Sequence, residues 1–155
     1  MPINEQPYEK KTAKAGQPKS DRFAGRSRAR MVAFQILYQE DLNAGSASEF
    51  GNDYIAEELS SEREDVRIFC QSLVVGTRSH AAEIDAKLGK TAAHWTLERM
   101  AATDRNILRL AVYEMMHLGT PRPVVINEAV ELAKRFGSAD SAAFVNGVLD
   151  KVVVP

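Results

Sequence analysis

The sequence has little of what builds a covalently linked or membrane-bound protein. Its single cysteine, Cys70, excludes an internal disulfide and any site with several cysteine ligands. No apolar run approaches the roughly 20 residues that span a bilayer, and the N-terminus lacks the apolar segment of a secretory signal. The chain has 155 residues, 45% of them apolar, which is enough for one globular domain with a buried core. We therefore expect a reduced, cytoplasmic protein without a membrane segment.

Residue patterns for catalysis and cofactor binding are also scarce. The glycines are isolated and form no phosphate-binding loop. His80, His94 and His117 are far apart along the chain, and none has a second ligand at helical spacing, so no metal site is expected. Cys70 falls in phase with the apolar positions around it and is interpreted as a core residue. The sequence thus favours binding over enzymatic turnover, with no catalytic residue, cofactor or metal.

Charge is divided unevenly along the chain. Residues 1–30 carry eight basic and three acidic side chains, a net charge of +5, whereas the remainder carries -6. A basic segment attached to an acidic body is typical of a protein that binds a polyanion. Residues 1–21 contain three prolines and few apolar side chains, which predicts a flexible basic arm. Residues 22–155 are then predicted to form a single helical domain.

The apolar spacing of residues 27–58 predicts two helices. Between Ser27 and Asn43, apolar residues recur with the 3.6-residue period that places them on one face of a helix; these are Ala29, Val32, Ala33, Ile36 and Leu37. Residues 46–58 can form a second, shorter helix. Because no segment of the chain alternates apolar and polar residues with a period of two, a sheet is not expected.

The second half of the chain carries further helix signals. Ser61 followed by Glu64 has the pattern of a capping box, and the amphipathic run that it opens extends to Leu88, with Gly89 as the expected C-cap. Three more helices are predicted, after Thr103, after Pro123, and from Ser138 or Asp140. A short turn capped by Thr96 precedes them. The predicted fold is all-α, a compact bundle of about seven helices.

Arginines at the start of the first helix are the strongest binding signal. Arg26, Arg28 and Arg30 can meet phosphate groups, and the guanidinium group binds such oxygens in a bidentate manner. Gln35 could read a base edge, and Tyr38 lies two turns beyond Arg30 on a similar side of the helix. Cationic backbone contacts combined with aromatic and amide groups are typical of single-stranded RNA recognition. A duplex-DNA reader is disfavoured because no second helix carries a basic face.

Phe144 departs from the apolar stripe of the last helix, which leaves two interpretations open. It lies at the edge of the core, or it is a stacking platform for a base if the last helix packs beside the first. Asp140 at the start of that helix is first of all an N-cap.

Several stretches resemble the NusB transcription antitermination protein family. Residues 26–30 (RSRAR) with residues 35–38 (QILY) resemble its arginine-rich motif and first helix, and residues 107–114 (ILRLAVYE) resemble its central helix. The most specific match is residues 125–137 (VINEAVELAKRFG) followed by residues 144–151 (FVNGVLDK). The resemblance extends over about residues 22–153.

This resemblance implies two packed helical subdomains and a non-catalytic RNA-binding antitermination factor. It implies binding to the boxA element of nascent ribosomal RNA together with the ribosomal protein NusE, and association with NusA, NusG and RNA polymerase through that complex. By position, Asp104 is expected to face NusE. The implied RNA-binding residues, with Arg22 supplementing them from the arm, are Arg22, Arg26, Arg28, Arg30, Gln35, Tyr38 and Phe144. Ser27 stands where the family commonly has another arginine, which predicts a weaker salt dependence by about one unit of slope.

Two other functions and one assembly state stay open from the sequence. Similar helical domains precede the catalytic domain of ribosomal RNA cytosine methyltransferases, and a pure protein-interaction module is a further alternative. Some relatives of the resembling family self-associate through the RNA-binding face, so a homodimer that covers the arginines is also an alternative.

Overall fold

A computed structural model describes residues 18–43, 48–92 and 95–155, with side chains described for residues 24–43, 51–92 and 95–155. These residues form seven α-helices and no strand, as the sequence predicts. The helices are α1 (Pro18–Leu42), α2 (Ser48–Glu58), α3 (Glu64–Ser79), α4 (Ala81–Thr91), α5 (Ala102–Tyr113), α6 (Arg122–Phe136) and α7 (Ser141–Lys151). A 3-10 turn, Leu97–Arg99, precedes α5, and a π-helical turn, Glu114–Leu118, follows it.

The helices pack in two groups around α5. Helix α1 lies against α3, and α2 contacts both of them, while α6 and α7 pack against each other in the second group. Helix α5 contacts α1 and α3 of the first group and α4, α6 and α7 of the second. Accordingly α5 buries Ile107, Leu108, Leu110, Ala111 and Val112. The two predicted subdomains are thus confirmed, with α5 as the element that joins them.

The start and end of α5 are fixed by local geometry. Thr96 stands at the N-cap position of the 3-10 turn, as predicted, although its side chain makes no capping hydrogen bond. At the other end Gly119 has a φ of 66°, a left-handed conformation that glycine adopts without steric cost. The chain can therefore turn sharply from the π-helical turn into α6.

The predicted capping box at Ser61 is wrong. Helix α3 begins at Glu64 with Arg63 as its N-cap residue, and no side chain caps it. Residues 59–62 instead form a turn in which the backbone N–H of Glu62 donates to the carbonyl of Leu59. That turn directs the Glu62 carboxylate towards Arg28 of α1, a long-range contact that a local pattern cannot anticipate.

The amphipathic run from Val66 to Leu88 is two helices rather than one. Helix α3 ends at Ser79, His80 leaves helical geometry, and α4 continues to Thr91, so Gly89 lies inside α4 and is not a C-cap. The carbonyl of Gly76 accepts hydrogen bonds from both the backbone N–H and the Nδ1 of His80. This local hydrogen bonding ends α3 at the corner.

The basic arm predicted for residues 1–21 lies almost entirely outside the described residues. Helix α1 begins at Pro18, nine residues before the predicted start at Ser27. Residues 1–17 are outside the described part of the chain, and the arm stays a prediction. Within the described residues, no helix combines the length and apolar character needed to cross a membrane.

Candidate nucleic-acid interface

Arg26 is exposed on the N-terminal half of α1. Its guanidinium carbon lies 4.2 Å from the centroid of the Phe69 ring, which is half-buried on α3. Stacking on an aromatic face holds a guanidinium group in a fixed orientation without using its N–H donors. Arg26 is therefore a pre-oriented cation at the surface, as its sequence position predicts.

Arg28 and Arg30 are buried, and the expectation of an exposed arginine cluster is not met at these two positions. Each is only 6% exposed. Arg28 pairs with Glu62 at 2.5 Å, and Arg30 donates to both carboxylate oxygens of Glu114 at 2.7 and 3.0 Å. Because α1 packs against α3 and α5, these positions face neighbouring helices, and a buried cation requires a partner there. Their ion pairs join α1 to the loop before α3 and to the end of α5.

Glu128 extends this ion-pair network to α6. Its carboxylate lies 3.6 Å from a guanidinium nitrogen of Arg30 and accepts a hydrogen bond from the Ser27 hydroxyl at 3.0 Å. Thr120 also donates to Glu114, at 3.1 Å. Ser27 thus has a positioning contact between α1 and α6.

A groove of about 360 Å³ runs between α1 and α6. Two basic side chains on α6, Lys134 and Arg135, line it together with two acidic ones, Glu128 and Glu131. Lys134 and Glu131 form an exposed ion pair at 3.5 Å, a contact that contributes little stability and exchanges readily for another ion. The remaining lining residues are Ser27, Met31 and Leu132. The basic residues of α6 were not singled out from the sequence.

An aromatic row continues the groove towards the C-terminal end of α1. The Phe34 ring lies 5.9 Å from the Tyr38 ring and 5.1 Å from the Phe136 ring, centroid to centroid. Phe34 is buried, whereas Tyr38 and Phe136 are half-buried and complete the row at the surface. Arg26 and Tyr38 are twelve residues apart, about 18 Å along the helix. Helix α1 therefore carries a cation near its start and rings near its end, about a third of a turn apart around the helix.

Gln35 already has a partner inside the protein. Its side-chain oxygen accepts a hydrogen bond from the Tyr54 hydroxyl of α2 at 3.0 Å. The side chain is half-buried and ties α1 to α2. Reading of a base edge by Gln35, as the sequence predicts, would require an exchange of this hydrogen bond.

Phe144 does not pack against α1, because its helix, α7, packs against α6, α5 and α4. Its ring instead makes an edge-to-face contact with Trp95 at 5.9 Å. Trp95 is 52% exposed although tryptophan is a large apolar residue. Trp95 was missed from the sequence; its standing as the only tryptophan of the chain was the available signal. The pair forms a second exposed aromatic surface, next to the 3-10 turn.

Asp104 lies in the first turn of α5, the end nearest to this turn. One of its carboxylate oxygens is buried and has no hydrogen-bond partner among the described residues. The neighbouring Arg105 donates to the carbonyls of Leu97 and Met100 and so fixes the 3-10 turn against α5. Asp104 and Trp95 are thus held at the same end of the molecule.

Asp41 joins the end of α1 to the start of α5. It accepts hydrogen bonds from Arg105 and Asn106, both at 2.8 Å, and lies 3.6 Å from Arg109. Burial would raise the pKa of Asp41, but the hydrogen bonds from Asn106 and Arg105 and the charges of Arg105 and Arg109 together lower it. Asp41 is therefore held in its charged form.

Arg22 lies within α1, but its side chain is outside the described set. Cys70 is buried in the core, as predicted, and burial raises the pKa of its thiol to about 12. His80 and His117, distant in sequence, lie side by side with ring centroids 3.9 Å apart. His94 lies outside the described residues.

The comparisons with known proteins agree with this architecture. The model of the NusB family matches residues 27–154. The transcription antitermination protein NusB of Solibacter usitatus is 49% identical over 130 residues, which is 84% of this chain and 89% of the relative. The transcription antitermination protein NusB of Desulforamulus reducens is 43% identical over 130 residues, 83% of this chain and 90% of that protein.

Solved structures show the same fold. The T. maritima NusB structure has a TM-score of 0.74 and 31% sequence identity, with 82% of this chain and 89% of that chain covered. A crystal structure described as the antitermination factors NusB and NusE in complex with double-stranded RNA has a TM-score of 0.74 and 32% identity. The match covers 83% of this chain and 95% of the chain in that crystal structure.

Proposed function

The chain belongs to the NusB family of transcription antitermination factors, and from that premise we propose that it holds the boxA segment of ribosomal RNA on its α1–α6 face, jointly with NusE. The strand would begin at Arg26, follow the groove beside Lys134 and Arg135, and end on the rings of Tyr38 and Phe136. The observation that carries this proposal is the exposed, ring-stacked Arg26, about 18 Å along α1 from the aromatic row, which is the reach of several stacked nucleotides.

Single-stranded RNA suits this face better than a duplex. A splayed base can stack on a half-buried ring while its backbone meets a cation, whereas duplex RNA is read mainly through its backbone and 2′-hydroxyl groups. The related complex contains double-stranded RNA, so a duplex of the same sequence is the natural competitor in a binding assay. The proposal requires the single strand to bind more tightly.

Arg28 and Arg30 have a supporting role in this proposal. Their ion pairs to Glu62 and Glu114 hold α1 against its neighbours and so fix the positions of Arg26 and Tyr38. The predicted basic arm, residues 1–21, would add charge at the Arg26 end. Because the exposed cations on the face itself are few and alternate with Glu128 and Glu131, we expect the chain alone to bind RNA weakly.

NusE is expected to bind at the Asp104 end. Trp95 is exposed there, and aromatic residues are enriched in protein interfaces. Asp104 lies at the same end, in the first turn of α5, and its side chain is partly exposed. NusA, NusG and RNA polymerase would join through the resulting complex.

We propose no catalytic step for this chain. Its one thiol is buried and protonated at neutral pH, since burial raises its pKa to about 12. The buried charged groups of α1 and α5 are engaged in ion pairs that join helices. These contacts support a binding role, and transfer of a methyl group to RNA by the isolated chain would contradict it.

The test is a fluorescence anisotropy titration of single-stranded boxA RNA at several salt concentrations, with and without NusE. Arg26→Ala should weaken binding and reduce the slope of log affinity against log salt by about 0.7, the value for one phosphate contact on a single strand. Lys90→Ala is the control, because it removes an exposed basic side chain in the last turn of α4, a helix that packs against α3, α5 and α7.

Equal losses in the two variants would show that only total charge matters and would contradict the proposed face. Tight NusE binding with no RNA binding, with or without that partner, would instead support the protein-interaction alternative.

A further inference from the structure

Two histidines and a glutamate meet at the corner between α3 and α4. His80 is the corner residue, and Glu83 lies three residues later in the first turn of α4, so the expectation that no histidine has a second ligand at helical spacing is wrong for this pair. His117 lies in the π-helical turn after α5. One ligand atom of each side chain lies within 4.8 Å of the other two. Within the part of the chain that the structure describes, it is the group of three metal-ligating side chains whose ligand atoms come this close together. The group does not belong to the ion pairs around Arg30 or Asp41.

The contacts that orient the two imidazole rings do not use all of their ring nitrogens. The Nδ1 of His80 lies 2.8 Å from the carbonyl of Gly76, to which it donates, so its Nε2 carries the free lone pair. An outer hydrogen bond of this kind, from the second ring nitrogen to a backbone carbonyl, is the usual companion of a metal-binding histidine. The Tyr113 ring stacks on His117 at 5.5 Å and lies 5.7 Å from the His80 ring.

Glu83 and His117 already share one contact at the mouth of this cluster. The Nε2 of His117 lies 2.7 Å from a carboxylate oxygen of Glu83. Half of the Glu83 side chain and about a quarter of the His117 side chain are exposed, so solvent and ions can reach both. The π-helical turn supplies the position of His117, and such turns occur frequently at functional sites.

We propose that His80, Glu83 and His117 bind one divalent transition-metal cation, with Zn²⁺ as the best-suited ion. Two imidazoles and one carboxylate are a known zinc ligand set, and they leave a fourth tetrahedral position for water. Imidazole disfavours Mg²⁺ and Ca²⁺, which prefer oxygen ligands. Ligand atoms about 2.0–2.2 Å from zinc lie roughly 3.3 Å apart in a tetrahedron, so small rotations of the exposed Glu83 and His117 side chains would close the site.

The bound cation would link the corner between α3 and α4 to the end of α5. It would replace the direct contact between Glu83 and His117 with two bonds to the metal. Because such a cation binds the folded chain, it would also stabilise the fold, by an amount that grows with the logarithm of its concentration once this exceeds the Kd. The site lies apart from Arg26, Tyr38 and the groove, so its occupancy can be measured without RNA.

The experiment is a calorimetric titration of the full chain, purified without a histidine tag, with ZnCl₂ at neutral pH. We expect one Zn²⁺ per chain, and no heat with MgCl₂. Glu83→Gln and His117→Ala should each lower the Zn²⁺ affinity by more than about tenfold. Loss of a residue that only hydrogen-bonds to a metal ligand already lowers the affinity by about tenfold or more, and loss of a direct ligand should cost more. Both side chains are partly exposed, so circular dichroism should show unchanged helicity.

His94→Ala is the matched control, because it removes the remaining histidine of the sequence and should leave the affinity unchanged. A thermal melt gives a second measurement, in which Zn²⁺ raises the midpoint of the wild-type chain and not that of Glu83→Gln. Absence of Zn²⁺ binding, wild-type affinity in either the Glu83→Gln or the His117→Ala variant, or loss of binding in His94→Ala would overturn the proposal.

Discussion

Replacement of Arg30 by alanine should destabilise the fold strongly, and far more than replacement of the exposed Arg26. The Arg30 side chain is 7% exposed and that of its partner Glu114 is 2% exposed. Two hydrogen bonds of 2.7 and 3.0 Å join them. Arg30→Ala would leave the Glu114 carboxylate inside the domain with Thr120 as its remaining side-chain partner. An uncompensated buried charge of this kind costs about 3–5 kcal/mol.

That cost is a large share of the free energy of unfolding of a typical domain, about 5–15 kcal/mol. Arg26→Ala removes the same type of side chain four residues earlier, but from an exposed position, and surface substitutions usually change stability by less than about 0.5 kcal/mol. Urea denaturation followed by circular dichroism measures both variants. The double variant Arg30→Met with Glu114→Leu should be more stable than Arg30→Ala, because no unpaired charge is left behind.

The reasoning fails if Arg30→Ala unfolds within about 1 kcal/mol of the wild type. If that variant also lost RNA binding, Arg30 would be a direct RNA contact and the buried ion pair would not describe the protein in solution.

Three further predictions concern single residues. Gly76→Ala should lower the midpoint of urea unfolding, because a Cβ there would lie about 2.0 Å from the buried Tyr113 ring. Such overpacking costs about 1–3 kcal/mol, more than alanine gains over glycine in a helix. An unchanged or raised midpoint would show that the ring moves freely. Cys70 should react with a thiol reagent at pH 8 only as fast as the chain opens, since burial raises its pKa to about 12, and rapid labelling without denaturant would contradict this. Because the folded-state pKa of Asp41 is lowered, its stabilising effect is complete above the unfolded value of about 3.9 and is lost as pH falls through the folded value. Acid unfolding curves should therefore be less steep for Asp41→Asn, and identical curves would refute the assignment.

Much of the fold could be predicted because helix periodicity is a local property. The apolar faces of α1, α5 and α6 follow the 3.6-residue spacing, and they bury most of the residues that the spacing selects, although Phe136 is half-buried and Leu118, beyond the end of α5, is exposed. The capping pattern of Ser61 and Glu64 failed because Glu62 between them is drawn to Arg28, more than thirty residues away. Local signals therefore located the helices well and their boundaries less well.

The candidate site was less predictable, since its decisive contacts join distant residues. Whether an arginine in α1 is exposed depends on which residue faces it from other helices, and Arg30 meets Glu114 across 84 residues of sequence. In the same way, nothing local indicates that Trp95 lies beside Phe144. Arg26 is exposed, as predicted, since no carboxylate faces it among the described ion pairs.

The most direct measurement of the RNA-binding face is photo-crosslinking of 4-thiouridine-substituted boxA RNA to the chain with NusE, followed by mass spectrometry of the attached peptides. The predicted result is attachment to the peptides of α1 and α6 that contain Tyr38 and Phe136. Attachment confined to the outer surfaces of α3 and α4, with none on α1 or α6, would contradict the proposed path of the RNA.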